Sequence, residues 1–221
     1  MKALITGASS GMGRDMAKIL SQKGYDLILV ARDEKKLEEV KKQLKTETKI
    51  VVMDISKEEN CKKIYEENKD IDILINNAGF GDCGHFEETS LDKDIQMINT
   101  NIIAYHILTK LYLKEMIKKD SGKILNVASI AGFMPGPLMA TYYSTKAYVV
   151  RLSEAIREEL KKESSKVQIS ILCPGPVDTN FNKVADVQFA LKGLSSEYVA
   201  KLAHASFVAK ISYNMQKRKI R

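Results

Sequence analysis

The stretch Lys2-Ala3-Leu4-Ile5-Thr6-Gly7-Ala8-Ser9-Ser10-Gly11-Met12-Gly13 decides the fold. It opens with an apolar run of strand length and passes into a turn with three glycines. A helical pattern over 11–22 follows. Working outward, apolar runs at 2–6, 26–30, 49–53, 73–75, 123–127 and 168–172 read as strands. Amphipathic stretches near 11–22, 33–44, 57–68, 91–119 and 141–163 read as helices, with a further helix at 196–210. Strands alternating with helices indicate parallel βαβ units. The strands are nearly all apolar, as expected when helices cover both faces of a sheet. The expected fold class is α/β, a doubly wound parallel sheet of Rossmann-like type in one domain, 1–221, with right-handed crossovers.

Composition narrows the function classes. The chain has 221 residues, long enough for one large core, and 44% of them are hydrophobic. Cys61, Cys83 and Cys173 are scattered, as are His85, His106 and His204, so neither a disulfide framework nor a metal site is expected. The net charge of +7 comes from 35 basic and 28 acidic residues. The lysines alternate with glutamates along predicted helices, which is the pattern of solvated faces rather than of a nucleic-acid surface. A basic cluster occurs at 217–221, within a polar segment, 212–221, expected to be a flexible tail. No apolar run is long enough to span a bilayer. The strand-like start at Met1 leaves no room for a targeting segment, so a cytoplasmic protein is expected.

In doubly wound sheets ligands bind beyond the carboxyl ends of the strands. After the first strand, Gly7, Ser9, Ser10, Gly11, Met12 and Gly13 form a turn that lets backbone approach a pyrophosphate at a helix N-terminus. The spacing Gly-x-x-x-Gly-x-Gly differs from the more widespread Gly-x-Gly-x-x-Gly. After the second strand comes Ala31-Arg32-Asp33. An acidic residue there grips the ribose 2′-hydroxyl of NAD, and an arginine suits the 2′-phosphate of NADP. Asp33 precedes a helix and reads as its N-cap, so Arg32 favours NADP over NAD. Asp54, after the third strand, reads equally as an adenine contact and as a turn residue. Asn76-Asn77-Ala78-Gly79, after the fourth, permits close backbone approach to a cofactor and also fits a plain turn.

Ser129 ends the fifth strand, and Tyr142 and Lys146 stand four apart at the start of the next helix. That spacing places both on one helical face. An ammonium beside a phenol favours phenolate and lowers its pKa toward the neutral range. Tyr143 competes at a spacing of three from Lys146.

Taken in order, Thr6-Gly7-x-x-x-Gly11-x-Gly13, Asn76-Asn77-Ala78-Gly79, Asn101, Ser129, Tyr142-x-x-x-Lys146 and Pro174-Gly175 resemble the short-chain dehydrogenase/reductase family, in its short, non-extended branch. The resemblance runs from about 2 to 180. It implies that Tyr142 exchanges the proton with the substrate oxygen and that Ser129 hydrogen-bonds that oxygen. It implies that Lys146 binds the nicotinamide ribose and that Asn101 supports a water-linked proton relay. Cofactor contacts are also implied for Asn77, Ala78, Gly79, Pro174, Gly175, Val177 and Thr179. By the same pattern Tyr142 is chosen over Tyr143, which is expected in packing or an interface. Family members add a last sheet strand where this chain is polar and basic, so that strand is expected to be missing. A homodimer through the helices at 91–119 and 141–163 is implied.

The segment 130–140, with Phe133, Met134, Leu138 and Met139, and the region 176–196 after Pro174 are expected to wall a substrate pocket. No Arg or Lys lies between 130 and 141. The expected substrate is an uncharged or largely apolar ketone or aldehyde, or the matching alcohol. A dinucleotide-binding sensor without turnover is the alternative.

Overall fold

In the computed structural model the opening stretch forms a strand, a turn and a helix. The structure describes residues 1–179, 181, 185, 193–208 and 213–215, without side-chain detail for 206–208 and 213–215. The main strands are β1 (Lys2–Thr6), β2 (Asp26–Ala31), β3 (Thr48–Val52), β4 (Ile73–Asn76), β5 (Lys123–Val127) and β6 (Gln168–Cys173). The helices are α1 (Gly11–Gln22), α2 (Glu34–Lys41), α3 (Glu58–Glu66), α4 (Leu91–Ile98), α5 (Ala104–Lys118), α6 (Ala140–Lys162) and α7 (Ser196–Val208). Two further strands, β7 (Val177–Asp178) and β8 (Leu194–Ser195), pair with each other in parallel.

The main sheet is parallel throughout, with order β3-β2-β1-β4-β5-β6-β9, where β9 is Tyr213–Met215. Successive strand residues face opposite sides. Ala3, Ile5, Leu27 and Leu29 meet Met16 and Leu20 of α1, Leu37 of α2 and Val199 of α7 on one face. Leu4, Ile28 and Val30 meet Ile64 of α3, Leu108 and Tyr112 of α5 and Leu160 of α6 on the other. Both faces are therefore buried, which is why the strands lack a polar side. Lysines pair with glutamates along exposed helix faces, as in Lys62–Glu58 and Lys201–Glu197. Such pairs contribute little to stability.

Two expectations need correction. The helix expected over 91–119 is broken by a π-turn at Asn99–Ile103 between α4 and α5. The buried Asn101 side chain explains the break. Its Nδ2 donates to Phe80 O (2.9 Å) and Thr145 Oγ1 (3.1 Å), and its Oδ1 accepts from Phe80 N (3.2 Å). Those bonds hold the extra residue of the wide turn against the loop after β4. The last strand is also present. β9 pairs with β6 in the register Ile171↔Tyr213, Leu172↔Asn214 and Cys173↔Met215. A three-residue edge strand is held by main-chain hydrogen bonds, which an apolar count does not register. The basic cluster at 217–221 lies outside the described residues.

One buried charge ties the ends of the chain together. Asp15 on α1 accepts from Ser196 Oγ at the start of α7 (2.5 Å) and from Arg14 Nε (2.7 Å). Burial pushes its carboxyl up, but the bonds from Arg14 and Ser196 outweigh this and hold it below the ordinary carboxylate value. Asp15→Ala should cost roughly 1–3 kcal/mol, because it strands these donors. Chemical denaturation measures the loss, and faster amide exchange in α7 than in β4 locates it.

Candidate active site

Two cavities open at the carboxyl ends of the strands. A groove of about 820 Å³ runs over β1, β2, β3 and β4. A cleft of about 340 Å³ lies over β5, β6 and the start of α6. They share Met12, Asn77, Gly79, Thr179 and Phe181, so one meets the other.

The groove contains the glycine turn. Gly7 has φ +67°, and a Cβ on it would lie 2.7 Å from Ala78 Cα. At Gly13 a Cβ would lie 2.3 Å from the Gly7 carbonyl oxygen, so this glycine supports the turn from behind. Gly7, Ser9, Ser10, Gly11 and Met12 line the groove. No acidic side chain stands in the first turn of α1, so the free N–H groups and positive dipole end meet no competing anion. This cradle fits the pyrophosphate of a dinucleotide.

Farther along, Arg32, Lys36 and Asp54 line the same groove, as do Ala78 and Gly79 after β4. Asp33 is the N-cap of α2. It accepts from Lys36 N (3.1 Å), and its Oδ2 lies 3.1 Å from Lys36 Nζ. Asp54 Oδ1 accepts from Ser56 N (2.9 Å), a turn bond that leaves the residue on the groove wall. Both readings of Asp54 are thus compatible.

In the cleft, Ser129, Tyr142 and Lys146 come together with Pro174, Gly175, Val177 and Thr179. The Ser129 hydroxyl donates to Pro174 O (3.4 Å), accepts from Ala131 N (3.1 Å) and stands near enough to the Tyr142 phenol to favour its ionised form. Lys146, 4% exposed, donates from Nζ to Val127 O (3.0 Å) and lies 5.8 Å from the Tyr142 ring centroid. Burial pushes the Tyr142 phenol up to about 12, against the opposing bond from Ser129. Burial also pulls Lys146 down to about 8. The phenol therefore stands above its ordinary value rather than below it, because loss of water around it dominates, and Lys146 is itself pushed toward its neutral form.

Asn101 stands behind these groups rather than in either cavity wall. A Cβ on Gly79 would lie 3.0 Å from Asn101 Oδ1 and 3.4 Å from Lys146 Nζ, which puts both side chains against one glycine. Tyr143 is a correction: it lines the cleft and meets Tyr142 edge-on at 6.1 Å between centroids. Its ring packs where a Cβ on Gly136 would sit. Of the expected wall residues Met139 lines the cleft, together with Ile130. Phe133 instead packs with Tyr105 and Val149. Met134 and Leu138 are exposed.

Sequence reasoning missed Lys36, Lys93, Gln96 and Thr100 in the groove, and Phe181 at the junction. The helical positions carry no local signal, because only packing decides which helix face meets the groove. Phe181 lies 5.2 Å from the Tyr142 ring, beside Gly81.

The family model described as "short chain dehydrogenase" matches residues 1–188. The chain belongs to the short-chain dehydrogenase/reductase family. It is similar to the 3-oxoacyl-acyl-carrier-protein reductase FabG of Haemophilus influenzae, with 30% identity over 212 residues, 94% of this chain and 87% of that protein. It is 34% identical over 188 residues to an uncharacterized oxidoreductase of Staphylococcus epidermidis, covering 83% of this chain and 81% of that one. Among solved structures it resembles a short-chain dehydrogenase from Sphingobium yanoikuyae in complex with NADPH. That match has a TM-score of 0.88 and 27% identity, over 95% of this chain and 85% of the other. It also resembles a Burkholderia phymatum family member in complex with NAD, with a TM-score of 0.85 and 25% identity over 94% and 85% of the two chains. This family member is an oxidoreductase that uses NAD(P)(H) on carbonyl or alcohol substrates. Among the described residues no group of three or more His, Cys, Asp or Glu is placed to hold a metal. No helix among them is long and apolar enough to cross a membrane.

The desolvated lysine gives a stability prediction. Its ammonium is disfavoured in the folded state, at a cost on the order of 3 kcal/mol at neutral pH. Lys146→Met should make the protein without added cofactor more stable at pH 7. Between about 8 and the ordinary lysine value of 10.5, the folded lysine is neutral while the unfolded one is charged. Wild-type stability from this group therefore rises with pH, and the advantage of the variant shrinks across that window. Urea denaturation over a pH series reads both effects.

Proposed function

We propose that this protein transfers hydride between NADP(H) and an uncharged, largely apolar ketone or aldehyde, or the corresponding alcohol. The observation that carries the proposal is the meeting of two cavities: a glycine-cradled groove with Arg32 at its far end, and a largely apolar cleft in which Ser129, Tyr142 and Lys146 stand together. NADP is favoured over NAD because Asp33, which lines the groove beside Arg32 and Lys36, has its carboxylate engaged by Lys36 N and Nζ, which leaves Arg32 as the cation for a 2′-phosphate. A cation near a 2′-phosphate provides charge-assisted bonds that a 2′-hydroxyl cannot match. Similar proteins include one in complex with NADPH and an alcohol dehydrogenase from Comamonas testosteroni described as specific for bulky-bulky ketones.

The bound NADP(H) supplies or accepts the hydride. The chain's own groups do the rest. Ser129 donates a hydrogen bond to the carbonyl oxygen and stabilises the negative charge that develops there. Tyr142, held as the neutral phenol by its burial, gives its proton to that oxygen in reduction; in oxidation it accepts the alcohol proton only as phenolate, after its own proton has left by the route that Asn101 supports. Lys146 holds the nicotinamide ribose, and Asn101 supports a water-linked proton route behind it. Gly7, Ser9, Ser10, Gly11, Met12 and Gly13 seat the pyrophosphate. Asp54, Asn77, Ala78, Gly79, Pro174, Gly175, Val177 and Thr179 complete the cofactor contacts.

A homodimer through the α4–α5 and α6 faces belongs to the same proposal, and Ile95 and Ile103 are exposed there. So does a cytoplasmic location, consistent with three unpaired cysteines.

Tyr142→Phe should abolish reduction of an apolar ketone while NADPH still binds, as read by turnover and cofactor titration on one preparation. Wild-type rates would remove Tyr142 from the chemistry. Replacing Arg32 and Lys36 together by Ala should raise the KM for NADPH at least tenfold and leave that for NADH within about twofold. Equal effects on both cofactors would overturn the NADP preference.

A further inference from the structure

Between the sheet and α7 the chain passes through a narrow neck. Val177 and Asp178 of β7 pair with Leu194 and Ser195 of β8, and Leu194 N donates to Pro176 O (3.0 Å). A Cβ on Gly193 would lie 2.8 Å from Asp178 N, so the two lengths of backbone are in close contact. A pair of two-residue strands is marginal by itself. Yet this neck carries Val177, which lines the cleft, and leads into Thr179 and Phe181, which line both cavities.

The contacts that hold it come from α1, the helix whose first turn lines the cofactor groove. Gly11 and Asp15 stand four apart and share one helical face. A Cβ on Gly11 would lie 3.0 Å from Thr179 Cγ2, so the glycine turn meets the chain just beyond β7. One turn farther along, Asp15 Oδ2 accepts from Ser196 Oγ (2.5 Å), directly after β8. The neck is thus fastened to α1 on both sides. Asp15 is 5% exposed and Ser196 8%. Packing of α1 near α7 does not need a carboxylate at this point, because Met16, Ala17 and Leu20 share an apolar cluster with Val199, Ala200 and Ala203. A buried, fully bonded charge can fix one register where apolar packing tolerates several. Arg14 donates to the same carboxylate from Nε (2.7 Å) and Nη2 (3.2 Å).

We propose that Asp15 and Ser196 are a positioning pair: they pin the β7–β8 neck to the helix that seats the pyrophosphate, so that a dinucleotide on the glycine turn also sets Val177, Thr179 and Phe181 for the carbonyl compound. The inference rests on reading the groove as the cofactor site and the cleft as the carbonyl site. Neither Asp15 nor Ser196 lines either cavity, so both act through the neck. By linkage, cofactor and carbonyl compound strengthen each other's binding, and the pair carries part of that coupling.

The test uses the full chain as wild type, S196A and S196T, each well below its melting temperature. S196A removes the donor to Asp15, and S196T keeps a hydroxyl. Amide exchange is followed at 194–198, outside both cavities, with and without saturating NADPH. NADPH should slow exchange there roughly fivefold in the wild type and S196T, and by less than about twofold in S196A. The Kd for NADPH should stay within about threefold in all three proteins. With acetophenone as the ketone, S196A should raise its KM about fivefold and leave kcat within about twofold, with S196T close to the wild type. Protection by NADPH that is the same in S196A as in the wild type, or a lowered melting temperature with the KM unchanged, overturns the positioning role. Equal losses in S196A and S196T overturn it too, and assign the effect to packing rather than to the bond. If acetophenone is not turned over, the exchange comparison still decides the pair, and the proposed reaction alone is lost.

Discussion

The side-chain amide of Asn77 is the clamp on which the ligand-facing end of the sheet depends. β1 and β4 lie side by side where the strand order reverses, and each ends in a loop with backbone groups to satisfy. Asn77 Nδ2 donates to Thr6 O (3.1 Å) and Gly7 O (3.2 Å), while Thr6 Oγ1 accepts from Asn77 N (3.0 Å) and Ala78 N (3.1 Å). These four bonds fix the glycine turn against the end of β4. They also account for two of its glycines. A Cβ on Gly7 would strike Ala78, and one on Gly13 would come within 2.6 Å of Asn77 Nδ2. The cofactor groove and the cleft share this residue, so its clamp sets the distance between them.

A second constraint follows from burial. Lys146 and Tyr142 are drawn out of water by the packing of α6 on β5, and each is pushed toward its neutral form. A buried lysine is costly unless its donors are met, and the Val127 carbonyl and the faces of Tyr105 and Tyr142 meet it only in part. The site therefore holds a cation at a cost in stability, because the groups around it replace only part of the lost water.

Much of this was legible in the sequence. All six of the longer strands form where the apolar runs stand, because burial on both faces demands continuous apolar sequence. Asp33 caps α2 as its position before Glu34 predicts. Ser129, Tyr142 and Lys146 come together because a strand end and a helical spacing of four are local properties. The failures are equally physical. The π-turn at Asn101 arises from bonds to Phe80 and Thr145, 21 and 44 residues away, which no local pattern encodes. β9 is a short edge strand recognised by its pairing with β6. The family pattern and the spacing of four choose Tyr142 and leave Tyr143 to packing or an interface, yet Tyr143 both packs at Gly136 and lines the cleft.

The sequence by itself determined the fold, the glycine turn and the family to which the chain belongs, because periodicity and motif order are properties of neighbouring residues. Tertiary structure alone decided the electrostatic state of Tyr142 and Lys146, since desolvation depends on what packs around a group. It also decided which lysines reach the groove, where Asn101 stands relative to Lys146, and that a leucine at 138 occupies a backbone conformation suited to glycine. Each of these depends on contacts between distant segments, and a linear pattern does not contain those distances.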